Sequence, residues 1–440
     1  MRNVEAVPTG RGSEGQQFLV GETLYLRGLE KVDAKRSTAW RGSLFPITAE
    51  RAEELLKKDI PEQARPRRET RLVACRIADD TPVGFALYQS WDWRTVDLSV
   101  GADIGLGSDT AEAVKAEILR IVVPWLLLER EKMVVWLDVD AGEAPVVAAA
   151  EAVGMRPAAR LREAYWRDGA RRNHLIYEIL HPSWVEQLGD PRLADVEPET
   201  RDDARRTPRA AQSVAEPPPN AIMVGKRVYL RPVEIEDAEK IGLWSRQERE
   251  TFFDDGRAAQ SGLAFAHLTR KLAEDDPPSW VRFAIVLRDG DEYIGSNGLD
   301  SIDWIHRTAE TESFIDRAEH RGGGLGTEAK HLLLEYAFER LGLHMVRSYV
   351  FAPNTRSASA LRKQGYRDAG RLRWGAFKDG KLADFLLFDL LAEEWRAASP
   401  KKRRDLPAGP DSARLSVPVR LRRRPGTLVR RCGMVAFESG

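Results

Sequence analysis

Two stretches of this chain are variants of one another, and that repetition constrains the architecture more than any other feature. Val20–Ala34 reads VGETLYLRGLEKVDA and Val224–Ala238 reads VGKRVYLRPVEIEDA, so Val-Gly, Tyr-Leu-Arg, Glu and Asp-Ala recur in register. RLREAYWRDG at Arg160–Gly169 is answered by RLRWGAFKDG at Arg371–Gly380, and Gly154-Met155 by Gly365-Tyr366 at the same spacing. Three echoes in one order imply two copies of one domain. The 440 residues suit two or three domains, and each half is long enough to bury its own core.

The intervening residues 186–221 are rich in charge, Pro and Ala and poor in large apolar side chains, which predicts a flexible linker. The expected division is a disordered segment 1–19, a first domain 20–185, the linker, a second domain 222–397 and a basic tail 398–440. Lys plus Arg number 68 and Asp plus Glu number 68, so no net field directs the whole chain to nucleic acid or membrane. The tail is different, with Lys401–Arg404 and Arg420–Arg424, and leaves weak nucleic-acid contact open there. Cys75 and Cys432 form no disulfide or metal pattern, and the seven histidines show no close ligand spacing, so no metal is expected. The N-terminus lacks the apolar stretch of a signal peptide, and Ile118–Leu128 is too short to span a bilayer. The expectation is a cytoplasmic protein without a membrane partner.

In the second half, short apolar strands at Val228–Arg231, Arg282–Leu287, Tyr293–Leu299 and Ala309–Ile315 precede a glycine cluster. A Glu/Asp-rich helical region is expected from Ile235, and Arg288-Asp-Gly-Asp is a hairpin turn. A helix over Thr327–Arg340 places Ala329, Leu333, Ala337 and Leu341 on one face before Gly342. Met345–Phe351 is strand-like, Ser357–Lys363 a short helix, and Phe385–Leu391 a closing strand. Strands and helices in this order predict an α/β or α+β sandwich, built twice.

The cluster Arg321-Gly322-Gly323-Gly324-Leu325-Gly326-Thr327 joins a strand to an amphipathic helix. Glycines let the backbone approach a ligand, and a helix N-terminus offers unpaired amides to an anion. A nucleotide P-loop is excluded because no Lys precedes Thr327, and a dinucleotide fingerprint because residue 327 is not Gly. What remains is Arg-x-x-Gly-x-Gly at 321, 324 and 326. The pattern continues through a helix and a strand to Asn354-x-x-Ser357, with Gly365-Tyr366 eleven residues after the Asn.

This order, carried by the run TAETESFIDRAEHRGGGLGTEAKHLLLEYAFERLGLHMVRSYVFAPNTRSASALRKQGY, resembles the GNAT superfamily of N-acetyltransferases. The similarity spans about Val224 to Trp395 and is nearest to the branch that acetylates ribosomal-protein N-termini. It implies two tandem GNAT-like domains, each a mixed, mostly antiparallel twisted sheet flanked by helices. It further implies acetyl-CoA as co-substrate, with its pyrophosphate on the amides after Arg321 through Thr327. The pantetheine arm would add like a strand beside Ala309–Ile315, and Asn354 and Ser357 would face the thiol end.

The implied reaction is attack of a primary amine on a thioester, which needs a group to take the ammonium proton. Glu310 and Glu312 share a strand face, and Glu310 matches the acidic position of the branch. A solvated face bearing both carboxylates is the competing reading. A backbone N–H near Phe314 or Ile315 would meet the oxyanion. The family often places a Tyr seven residues after the Asn as thiolate acid; here that position is Leu361, which leaves Ser357 as the polar candidate or as an N-cap. Tyr366 is expected in the core.

The first half keeps Gly105-Leu-Gly107 but lacks an equivalent of Arg321 and has Glu143 where the second has Asn354. A carboxylate there opposes a polyanion, so this copy is expected to be structural, to cover the second site or to shape the acceptor pocket. The acceptor stays open among protein N-termini, aminoglycosides, polyamines and amino-acid-like metabolites. A non-catalytic acyl-CoA-binding sensor or scaffold is the alternative function, and a ribosome-associated interaction protein a third. Oligomeric state is not legible.

Overall fold

The computed structural model describes residues 17–63, 69–90, 93–191, 218–238, 240–241, 261–272, 277–316, 318–378 and 380–398. Most of the expected N-terminal segment, most of the linker, most of the helical region beyond Ile235 and the basic tail lie outside the described residues. Contacts divide the chain into two units. One is built on Met1–Pro198 with Ala369–Leu387, the other on Glu199–Asp368 with the segment from Phe388.

In the first unit the strands are β1 (Leu19–Val20), β2 (Leu24–Arg27), β3 (Glu69–Arg76), β4 (Pro82–Ser90), β5 (Thr95–Ala102), β6 (Val134–Asp140), β7 (Arg156–Arg167) and β8 (Ala170–Leu180). Their order is β1-β2-β3-β4-β5-β6-β8-β7, and only β5 and β6 run parallel. Its helices are α1 (Ser37–Arg41), α2 (Ala49–Glu62), α3 (Ser108–Leu128), α4 (Ala144–Ala152) and α5 (Pro182–Leu188). Successive strand residues point to opposite faces, so each face carries its own core. Leu26, Ala74 and Leu98 pack under Ile118, Leu119 and Val146 of α3 and α4. Tyr25, Val73 and Phe85 pack with Trp40 and Leu56 of α1 and α2.

The second unit repeats this plan with β9 (Met223–Val224), β10 (Val228–Pro232), β11 (Val281–Leu287), β12 (Tyr293–Asp303), β13 (Thr308–Ile315) and β14 (Met345–Phe351). These strands are neighbours in chain order, with only β13 and β14 parallel. Its helices are α6 (Gly262–Leu272), α7 (Leu325–Glu335), α8 (Thr355–Lys363) and α9 (Ala392–Ala398). The last two strands, β15 (Arg367–Lys378) and β16 (Lys381–Leu391), fall mostly in the stretch Ala369–Leu387 that is grouped with the first unit. α7 begins two residues before the expected start and passes into a π turn over Tyr336–Arg340 that Gly342, at φ 64°, terminates. Ala329, Leu333 and Ala337 are fully buried, as the periodicity requires, while Leu341, just past the π turn, is only half-buried. Among the described residues no helix is long and apolar enough to cross a membrane.

The sequence echoes are interactions. Arg27 grips Asp33 through both guanidinium nitrogens at 2.9 and 2.7 Å, and Arg231 grips Asp237 at 2.7 and 2.9 Å. The same carboxylates accept from the Glu30 and Glu234 amides. Tyr25 donates to Asp80 and Tyr229 to Asp291, each Asp lying in a hairpin turn at positive φ. Gly154 (φ 89°) and Gly365 (φ 95°) close α4 and α8 in the left-handed conformation. The following amides of Met155 and Tyr366 then return to Ala150 and Leu361. Glu163 and Trp374, matching positions of RLREAYWRDG and RLRWGAFKDG, both take φ just above 50°.

Candidate functional site

In the second unit the parallel pairing of β13 and β14 is confined to Thr308↔Met345, Ala309↔Val346 and Glu310↔Arg347, although both strands continue. Past that point they separate, and side chains hold the fork. Thr311 Oγ1 donates to the Arg347 carbonyl at 3.2 Å, and Ser348 Oγ donates to the Thr311 carbonyl at 3.2 Å. Because the Thr311 hydroxyl has one proton, its 2.9 Å contact with Tyr366 has the phenol as donor. Tyr366 is buried as expected, and burial holds its ionisation well above the usual range.

The Thr311 carbonyl faces the fork, so backbone alternation turns the amides of Ser313 and Ile315 the same way. Asp316 donates to Ile294 of β12, and by the same alternation Phe314 also faces β12. Of the two amides expected to meet an oxyanion, Ile315 is the one on the open side.

The glycine cluster lies at the mouth of this fork. Gly322 and Gly324 adopt φ 86° and 81°, and Gly324 is the N-cap of α7 with no side-chain cap. The first amides of α7, from Leu325, Gly326 and Thr327, therefore lack a capping side chain. A Cβ at Gly322 or Gly323 would meet nothing within 4 Å, so the loop borders open space. Arg321 turns back from it. Its Nε donates to the Ile315 carbonyl and Nη2 to the Asp316 carbonyl, both at 2.9 Å, which staples the loop to the strand end.

Arg227, which motif reading missed, sits beside the loop instead, with Nη1 donating to the Gly323 carbonyl at 2.7 Å. Glu328 in the first turn of α7 accepts the Arg227 amide at 2.8 Å and Nε at 3.0 Å.

Asn354 is 5 % exposed and caps α8, its Oδ1 accepting the Ser357 amide at 3.1 Å. The helix starts at Thr355, so the N-cap role considered for Ser357 belongs to Asn354, and Ser357 is the third helical residue. Leu361 is buried within α8.

The register places Asp300, Glu310 and Arg347 in one row across β12, β13 and β14. Arg282, Gly298 and Glu312 form the next row across β11, β12 and β13. Directly opposed residues share a face, so three carboxylates and two arginines lie together. Arg347 Nε is 3.7 Å from Glu310, and Arg282 Nε is 3.6 Å from Glu312 across the missing side chain of Gly298. The Glu310 side chain is 17 % exposed. Burial pushes its carboxyl up to about 7; Arg347 opposes the shift, while Asp300 and Glu312 reinforce it. On α7, burial pushes Lys330 down to about 7 against the pull of Glu312 and Glu310. At neutral pH Glu310 is thus poised to exchange a proton.

In the first unit the corresponding loop also ends at an uncapped glycine, Gly107, the N-cap of α3, but one of its amides is taken by its own side chain. Asp103 Oδ1 accepts the Gly105 amide at 3.0 Å. Glu143, the N-cap of α4, is buried between Lys115 Nζ at 2.6 Å and Arg167 Nη1 at 2.5 Å. β5 and β6 also part after Leu98↔Leu137, so the fork persists while its mouth differs.

Comparison with known proteins bears on this arrangement. Residues 227–367 match the family model described as an acetyltransferase (GNAT) domain. Uncharacterized N-acetyltransferase p20 of Bacillus licheniformis is 30% identical over 176 residues, which cover 39% of this chain and 96% of the relative. Putative ribosomal N-acetyltransferase YdaF of Bacillus subtilis (strain 168) is 32% identical over 183 residues, covering 39% of this chain and 95% of the relative. Among solved structures, a chimera of the Vibrio cholerae spermidine N-acetyltransferase SpeG is 24% identical, with a TM-score of 0.36 over 39% of this chain and 99% of that one. A putative acetyltransferase from Sphaerobacter thermophilus is 34% identical, with a TM-score of 0.30 over 37% of this chain and 96% of that one.

Proposed function

Because this chain belongs to the GNAT acetyltransferases, we propose that its second half transfers an acetyl group from acetyl-CoA to a primary amine. The first half is then a copy of the same domain that no longer carries the reaction. GNAT enzymes use acetyl-CoA as co-substrate, which supplies an electrophilic thioester carbonyl and a pyrophosphate by which it is held.

The residues fit such a ligand. Uncapped amides at Leu325–Thr327 and the open Gly322-Gly323 backbone suit a diphosphate, and Arg227 adds positive charge at its edge. The fork-facing backbone of Ser313 and Ile315 suits an extended amide-bearing arm. Glu310 takes the ammonium proton so that the amine attacks directly, and the Ile315 amide donates to the developing oxyanion. Ser357, beside the Asn354 cap, is the candidate to protonate the departing sulfur. The first copy keeps the fork and an uncapped Gly107 but differs in the charges at its mouth. Asp103 already occupies a loop amide with negative charge, and Glu143 ties Lys115 and Arg167 together at the mouth.

The observation that carries the reading is the tethered fork ending at an uncapped glycine loop. Gly324→Glu places a carboxylate and a strained φ at that loop. In calorimetry it is expected to weaken acetyl-CoA binding by more than about a hundredfold, from charge repulsion and lost amide geometry together. Unchanged affinity in a folded variant overturns the assignment. Binding by the wild type without thiol release across a broad amine panel favours the non-catalytic sensor.

A further inference from the structure

Beside the carboxylate face of the second unit lies a cavity of about 150 Å³, lined among others by Pro232, Ile241, Leu268, Thr269, Trp280 and Arg282. A cavity of this size takes a single benzene ring, so it has room for one apolar side chain. Most of its wall is apolar. The Thr269 hydroxyl donates to the Phe265 carbonyl at 2.9 Å, so it offers the cavity no further donor.

Two of the lining residues, Trp280 and Arg282, carry N–H donors. Among the described residues Trp280 Nε1 is buried without a hydrogen-bond partner, a state that costs free energy until an acceptor oxygen arrives. Arg282 lies 5.5 Å above the Trp280 ring, and its Nε and Nη2 donate to Ser296 Oγ. Among the described residues its Nη1 keeps no protein partner. Arg282 also belongs to the row that holds Glu312, next to the row of Glu310. Apolar cavity, donor pair and carboxylates therefore follow one another along a single face.

We infer that the acceptor is a free α-amino acid with one bulky apolar side chain. Its side chain fills the cavity, its carboxylate meets Trp280 Nε1 and Arg282 Nη1, and its ammonium points to Glu312 and Glu310. The charges of the zwitterion then alternate with those of the protein. A polyamine offers no oxygen to the indole and places a second cation against Arg282. A peptide N-terminus offers a carbonyl but no charge to match the guanidinium. The transfer balances: the amine nitrogen bonds the acetyl carbon, the C–S bond of acetyl-CoA breaks, and the ammonium proton leaves through Glu310.

This assignment rests on the second half being the acetyltransferase, and one experiment separates the two. Full-length protein is assayed for thiol release with acetyl-CoA and leucine, phenylalanine, alanine, leucinamide, a Leu-Ala-Ala peptide and spermidine. Leucine or phenylalanine is expected to exceed alanine in kcat/KM by at least about tenfold, the discrimination an apolar pocket gives. Leucine should exceed leucinamide and the peptide by a similar factor, and spermidine by more. Leu268→Trp, which fills the cavity, should erase the preference for leucine over alanine, and Arg282→Gln the preference for leucine over its amide. Turnover in which spermidine, the peptide or the amide equals or exceeds leucine overturns the acceptor assignment alone. Absence of thiol release with every amine overturns the underlying enzyme reading instead.

Discussion

Glu310→Gln separates catalytic from structural roles, because the two make opposite demands on a buried carboxylate. The wild-type group ionises near 7, so about one-tenth is ionised at pH 6 and about nine-tenths at pH 8. If the ionised form takes the amine proton, kcat/KM rises about tenfold across that interval. Glutamine keeps the shape and abolishes the base, which is expected to cost ~10²–10⁴ in rate at pH 8 and to flatten this limb of the profile.

Stability should move the other way. The folded value is raised from 4.5 to about 7, so the carboxyl's favourable contribution is complete below pH 4.5 and is lost as pH climbs through 7. At about 1.4 kcal/mol per unit, the ionised group penalises the fold by at most ~3 kcal/mol at pH 8 and ~1 kcal/mol at pH 5. Glutamine removes that penalty, so the inactive variant should be the more stable one, with the larger gain at pH 8. Thiol-release rates from pH 5.5 to 9 and urea unfolding at pH 5 and 8 give both numbers. A variant that keeps the wild-type pH profile, or loses equal stability at both pH values, refutes the reasoning.

Asn354→Ala removes the cap of α8 and is expected to cost ~1 kcal/mol by urea unfolding, with Asn354→Asp retaining most of it. Asp237→Ala leaves Arg231 without its bidentate partner in a largely buried site, and Asp33→Ala does the same to Arg27. Each should cost ~3–5 kcal/mol, and calorimetry should show each substitution lowering the melting of its own unit first. Equal shifts of both units would refute that separation.

Much of this was legible along the chain, wherever the determinant was local. The Tyr-Leu-Arg…Asp-Ala echo became the same carboxylate grip in both units because its partners lie six residues apart. Gly342 and Gly365 marked helix ends because only glycine takes their backbone angles cheaply. The glycine loop and Glu310 were placed by pattern, but the environment that lifts the Glu310 ionisation was not. Asp300 and Arg347 reach it only through strand register, which one-dimensional spacing does not encode. Arg227 and Glu328 escaped for the same reason, being brought together by β10 passing α7. Asp103 was readable in principle, since an acidic residue two positions before a loop glycine commonly turns back on its amide. The cavity at Trp280 had no signal at all, because its walls come from four separated stretches.

The hydroxyls of Thr311 and Ser348 each reach across to the opposing main chain, so the parting of β13 from β14 is built during folding. An extended guest arriving there finishes an interrupted sheet and does not have to pry one apart. The work of ordering the receptor has been spent before any encounter, and more of the contact energy remains available as affinity.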